Sequence, residues 1–359
     1  MTLIFVRALL RAFIVMEELS KTGRIRGLDA LRFWCALWVI FGHFGFLPLI
    51  DGVDLTHAAG RVSRALYNNL ISGQAAVIVF FVISGFCIHY PFRHRSTVPL
   101  VPFFARRYLR ILIPVAIAIV LSRPAGVELR LLDQTVLWSL VCEEIYYAIY
   151  PVLLRLRLRF GWRRMIAVSY LASILIALTN LRAGNYPAFG PGLNWLLALP
   201  CWLLGCDLAE SYQESPSGAV VRVPIVYWRF GAWVLSIFAR ALKFHSLATY
   251  PLTLNIFAFY VYFWLRQEIC RAEKSQASWI ERAGLFSYSM YLIHPAAHEV
   301  WRRWISIPSL GSGVDWLVHT AFILAMALIF YLVVEHPSHR FARRTYRWLA
   351  PRFRSASTE

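Results

Sequence analysis

The fold class this sequence predicts is an all-α integral membrane protein of about ten transmembrane helices. Three observations lead there. Apolar runs approaching 20 residues recur along the chain, the length that crosses about 30 Å of hydrocarbon. Hydrophobic residues make up 59% and charged residues only 16%, against roughly 25% charged in soluble domains. Finally, arginines crowd into the short connections between the runs, the pattern produced by the positive-inside rule.

The runs fall at 31–50, 67–90, 111–122, 135–154, 165–180, 191–209, 230–246, 248–266, 284–301 and 315–334. The third is short, interrupted by Arg123 and Pro124, and the seventh carries Arg240 and Lys243. With the N-terminus inside, one side receives Arg24 and Arg26, Arg93 to Arg110, Arg155 to Arg164, Arg266 to Arg282 and Arg340 to Arg354, most of the 37 basic residues. Both termini are therefore expected in the cytoplasm, which requires an even number of spans. The net charge of +18 is accounted for by this topology signal, so no nucleic-acid partner is expected.

No internal repeat shows, and no hydrophilic stretch is long enough for a soluble domain. Residues 1–27 read as a cytoplasmic lead, 28–337 as one transmembrane domain and 338–359 as an Arg-rich cytoplasmic tail. Met1 to Val15 is apolar but carries Arg7 and Arg11, so it is either an amphipathic surface helix or sequence upstream of a true start at Met16. The six cysteines lie in or beside apolar runs without metal-ligand spacing, so neither a disulfide framework nor a metal is expected.

Ionisable groups within a bilayer are costly and mark candidate sites. The first run holds Asp29, Arg32 and His43. Arg32 and His43 are eleven residues apart, about three helical turns plus 20°, and so share a face. Asp29 is placed to pair with Arg32 at i,i+3. Taken alone, the pair equally fits an interfacial arginine and a histidine bonded to a neighbouring helix. Arg107 and Arg110 are i,i+3 neighbours at the cytoplasmic edge, either a fork for phosphate or a plain topology anchor. Glu143 and Glu144 sit in the fourth run and point about 100° apart, so at most one faces a given cavity. Ser84 and Gly85 suit close helix packing, and His89 reads as interfacial. His294 is a second intramembrane histidine, and Glu335 reads as an edge carboxylate paired with an arginine.

These segments together resemble the acyltransferase-3 family of bacterial membrane O-acyltransferases. Leu28-Asp29-Ala-Leu31-Arg32 with His43 resembles its arginine–histidine signature, and Phe80-Phe81-Val-Ile-Ser84-Gly85-Phe86 its second conserved helix. Arg107-Tyr-Leu-Arg110, Trp138-Ser139-Leu140-Val-Cys-Glu143 and Ser287-Tyr288-Ser-Met-Tyr291-Leu-Ile-His294 resemble three further motifs, in family order. The sequence departs from the pattern where His336 replaces a basic residue and where the Pro114 to Trp138 interval is short.

The resemblance implies an acyltransferase-3 type bundle in the bacterial inner membrane, crossing it many times. It implies transfer of an acyl group, acetyl above all, from cytoplasmic acyl-CoA to a hydroxyl of a carbohydrate or glycolipid of the cell envelope. It assigns His43 as general base or, alternatively, as a transient acyl carrier, Arg32 to the donor or the developing charge, Asp29 to hold Arg32, and Glu143 to the acceptor or a proton relay. Arg107 and Arg110 would bind coenzyme-A phosphates. Glu144, Tyr147, Tyr291 and His294 are candidates for the acceptor site. The rival from another class is an envelope-precursor transporter or flippase, in which the same groups would relay protons.

Overall fold

The computed structural model describes residues 27–49, 56–129, 136–212, 223–246, 248–272, 279–306 and 308–354. Met1 to Val15, the alternative start Met16, and Arg24 and Arg26 lie outside the described residues. Among the described residues every regular element is helical. Among the described residues, four helical segments are long and apolar enough to cross a bilayer by length and composition: Ala58–Phe92, Trp138–Thr179, Ile225–His245 and Ser312–Pro351.

Helix α1, Leu28–Phe44, starts after Gly27 at φ 88° and stops at Gly45 at φ 90°, backbone that favours glycine. The stop cuts the expected run 31–50 short and leaves His43 and Phe44 in the last turn. A short amphipathic helix α2, Ala58–Asn69, follows. Helix α3, Gly73–His89, is capped by Ser72, whose hydroxyl accepts from the Ala75 N–H (3.3 Å). Helix α4, Leu100–Ser122, begins earlier than the apolar run at 111–122 and so carries Arg106, Arg107 and Arg110 on regular turns.

The runs expected at 135–154 and 165–180 are one helical stretch, α5, Trp138–Thr179, broken only at Gly161 (φ 74°, ψ 155°). Positive φ costs glycine little, so the chain pivots there without a loop. Then come α6, Asn194–Ser211, α7, Ile225–His245, α8, Tyr250–Ala272, the short α9, Trp279–Ala283, and α10, Ser287–Trp304. Helix α11, Ser312–Phe330, runs through a π-helical turn, Tyr331–Glu335, into α12, His336–Arg354. The segment expected as a tail is therefore helical to Arg354, and α12 packs along α4.

The core centres on α3 and α6. A Cβ on Gly85 would stand 1.9 Å from the Trp202 carbonyl oxygen, and one on Gly205 2.0 Å from the Val82 carbonyl oxygen. The two backbones thus meet through reciprocal glycines, as small residues permit in membrane bundles. Gly85→Leu is expected to separate α3 from α6 and cost at least the roughly 1–3 kcal/mol typical of overpacking. Loss of the monodisperse peak in detergent size-exclusion chromatography would show it, and an unchanged peak would contradict this packing. Outward faces are apolar instead: Val168, Leu171 and Leu175 of α5 and Val226, Phe230 and Phe238 of α7 are exposed, which suits lipid rather than water.

The ten-span topology with both ends inside is tested by reporter fusions. Fusions after Arg95, Arg159 and Arg344 should report cytoplasm and one near Arg182 the opposite side. A cytoplasmic signal at Arg182 would overturn it.

Candidate active site

The charged lining of a cavity of about 500 Å³ comes from four pieces of chain. Helix α1 contributes Asp29 and Arg32, α4 contributes Arg106, Arg107 and Arg110, the segment after α3 contributes Arg95, and α12 contributes Arg343. Six guanidiniums thus line one vestibule, with Asp29 the single carboxylate among its lining residues. Like charges so concentrated repel one another, and an anionic occupant relieves the repulsion. Asp29 pairs with Arg32 (3.6 Å) as the i,i+3 spacing predicts. Arg107 lies over the Phe103 and Tyr147 rings (5.9 and 5.7 Å) and Arg106 over Tyr346 (5.3 Å), where cation–π attraction holds the forks in place. Arg110 donates to His339 Nε2 (3.0 Å).

Arg95 is fixed from behind. Arg157 donates to the backbone carbonyls of Arg93 (2.8 Å) and Arg95 (3.0 Å) and pairs with Glu210. The Glu210 carboxylate also meets His89 Nε2 (2.6 Å) and accepts from the Trp162 indole (3.3 Å). His89 is wholly buried and its Nδ1 meets the Tyr150 hydroxyl (2.9 Å). The interfacial reading of His89 is corrected: it is an internal strut, because α5 and α6 close over it.

The vestibule shares a wall of Asp29, Arg32, Arg107, Arg110, Tyr147 and His339 with a smaller chamber of about 120 Å³. Glu143, Ser139 and Tyr291 line its far part. Glu143 and Glu144 divide as their angular offset requires. Glu143 faces the chamber, while both Glu144 oxygens are buried away from it with no hydrogen-bond partner. Tyr147 joins its hydroxyl to Ser84 (3.0 Å), which also accepts from the Trp202 indole (3.3 Å). Glu335 lines the chamber too, and its partners correct the expected arginine pairing. It accepts from the Ser289 N–H (3.1 Å) and hydroxyl and lies 3.5 Å from His339. The wide π-turn carries it against the first turn of α10, where it accepts from the Ser289 N–H.

His43 lies elsewhere. It belongs to the lining of neither cavity that holds Arg32, because eleven residues of helix set the two about 16 Å apart along the axis. Instead His43 stacks on His294, ring centroids 5.1 Å apart, with its Nδ1 3.0 Å from His294 Nε2. His294 is wholly buried, and its Nδ1 faces the carbonyls of Tyr291 (2.8 Å) and Met290 (3.1 Å). Two carbonyls accept only, so Nδ1 of His294 carries the proton and its Nε2 accepts. His43 must then donate from Nδ1, which leaves the lone pair on its Nε2.

Tyr291 connects the two regions. Its hydroxyl meets Ser139 (2.7 Å) and donates to the Val136 carbonyl, while its ring lies 6.2 Å from His294. Beyond the histidine pair, Phe44 stacks on His298 (3.9 Å), and His298 Nδ1 lies 3.2 Å from His319 Nε2. The α12 wall and this second histidine pair were not singled out from sequence. For α12 a signal existed in the one-face spacing of His339, Arg343 and Tyr346, at i, i+4 and i+7. His298 and His319 carry no such pattern.

The profile of a family described as an acyltransferase domain matches residues 25–336. The chain belongs to the acyltransferase-3 family. The matched span takes in α1 to the π-turn, including every candidate residue above except those of α12. The chain is similar to an acyltransferase named MdmB from Streptomyces mycarofaciens, 24% identical, with 90% of this chain and 94% of the relative covered. No solved structure matches.

Proposed function

We propose that this acyltransferase takes an acyl group, acetyl in the first instance, from cytoplasmic acyl-CoA and places it on a hydroxyl of an envelope carbohydrate or glycolipid. The setting would be the bacterial cytoplasmic membrane. The observation that carries the donor is the vestibule of six guanidiniums with Asp29 alone opposing them. A nucleotide bearing several phosphates meets that demand, because guanidinium forks bind phosphate through paired charged hydrogen bonds. The flanking Phe103, Tyr147 and Tyr346 rings suit a flat base. The thioester arm would then run from Arg32 through the chamber past Glu143 and Tyr291 toward His43.

At that end the chemistry follows from the tautomers. His43 Nε2 would remove the proton from the acceptor hydroxyl as its oxygen attacks the thioester carbon. The carbon–sulfur bond breaks, and the departing thiolate recovers the proton from the His43 imidazolium. His294 would act as the positioning residue that fixes which His43 nitrogen is basic, as the third group of a triad does. Arg32, held by Asp29, would steady the donor and Glu143 the acceptor. Glu144, turned away from the chamber, fits an acceptor role less well than Tyr291 does.

The test is transfer of label from acetyl-CoA by purified protein to a panel of envelope glycans, read by mass spectrometry. Acetyl esters on a glycan are expected. Failure to bind or consume acetyl-CoA, together with net movement of a precursor across a vesicle membrane, would favour the transporter instead.

A further inference from the structure

On the face of α1 turned away from the arginines lies a second large cavity, about 550 Å³. That volume is in the range of small-molecule sites, roughly 300–1,000 Å³. Helix α1 packs on α3, α9 and α10, while α7 packs on α8 and α2, so the cavity occupies the seam between α1 and α7. Its room comes from small side chains, Ala75 and Ala76 of α3 and Ala232 and Ser236 of α7. Its walls are aromatic: Trp34, Trp38 and Trp233 line it, and Trp34 is 47% exposed.

The polarity of the seam is one-ended. Along α1 the lining runs from Gly27 to Trp38, about 16 Å at 1.5 Å per residue, close to half of the roughly 30 Å hydrocarbon thickness. Charged groups gather only at the Gly27 end: Arg229, Arg271, Glu268 and Glu281. Arg229 holds Glu268 through two bonds (2.7 and 3.0 Å), and Glu281 accepts from the Gly27 N–H. Guanidiniums and carboxylates are therefore equal in number at the rim, two of each.

We propose that this seam is a binding site for one tail of a zwitterionic phospholipid, its phosphate and primary ammonium at the Arg229–Glu281 rim. The apolar depth matches one leaflet, and the balanced rim matches a headgroup carrying both signs. An anionic headgroup would meet Glu268 and Glu281 as repulsive charges. A tail in the seam braces α1 from behind, opposite Arg32.

Native mass spectrometry of the full chain in detergent, after delipidation and addition of defined lipids, tests this. One phosphatidylethanolamine per chain should survive activation that strips other lipid, with at least a tenfold preference over phosphatidylglycerol. Ala232→Phe fills the seam and should abolish that retention. Glu281→Gln keeps the bond from Gly27 but removes a negative charge, and should erase the headgroup preference while keeping the tail bound. It therefore reads the site even where the filled variant fails to fold. Wild-type protein that retains no lipid, retention unaffected by Ala232→Phe in folded protein, or equal retention of the two lipids would each overturn the proposal.

Discussion

Replacing His43 with alanine should lower turnover about 10²–10⁴-fold, the usual contribution of a positioned general base, while leaving acetyl-CoA binding intact. The two effects separate because the residues do. The arginines lie at one end of α1 and His43 in its last turn, so a change at the histidine leaves the vestibule untouched. Insertion should also survive, since His43 lies in the last turn of α1 and the packing of α1 on α3, α9 and α10 does not depend on its side chain. His294→Ala should act on the same step, lowering turnover by up to about 10⁴-fold, as changing the group that fixes a catalytic histidine's tautomer does in a triad. Acyl transfer normalised to folded protein in the membrane measures both. If His43→Ala keeps more than about a tenth of wild-type turnover, well above the range for a lost base, His43 is a structural histidine. The signature of that case is lowered protein level with activity per folded molecule preserved.

Acetyl-CoA affinity should fall tenfold or more when Arg107 and Arg110 are both replaced by glutamine. Each charged hydrogen bond is worth roughly 1.5–3 kcal/mol, and each 1.4 kcal/mol is a factor of ten in binding. The remaining guanidiniums of the vestibule soften the loss, so the prediction is set near the low end of that range. Wild-type affinity should also decline with added salt, because mobile ions screen the attraction between the guanidiniums and an anionic donor. Arg159, exposed and outside the vestibule, supplies the control: Arg159→Gln should bind as wild type. Calorimetric titration of purified protein distinguishes the outcomes. Unchanged affinity in the Arg107→Gln/Arg110→Gln protein would reduce the pair to topology anchors.

Much of this protein was legible in the residues themselves. Apolar runs and arginine clusters announced a helical membrane protein, since hydrocarbon forces backbone polar groups to pair within each segment. Helical spacing alone paired Asp29 with Arg32 and turned Glu143 and Glu144 apart, because both relations lie within two turns of one helix. Close packing at Gly85 was readable for the same reason: only a residue without Cβ admits a neighbouring backbone there.

What the tertiary structure decided concerns partners far apart in the chain. The sequence placed Arg32 and His43 on one face, but only the neighbouring helices show that Arg32 lines the arginine vestibule while His43 belongs to His294. Composition presented residues 338–359 as a basic tail, whereas α12 lies along α4 and closes the vestibule with Arg343 and Tyr346. His89 and Glu335 read as edge residues by position in their runs, yet both are buried on partners more than 40 residues away. The physical reason is the same in each case. Helix periodicity carries information over a few turns, but which faces meet is settled by the packing of the whole bundle.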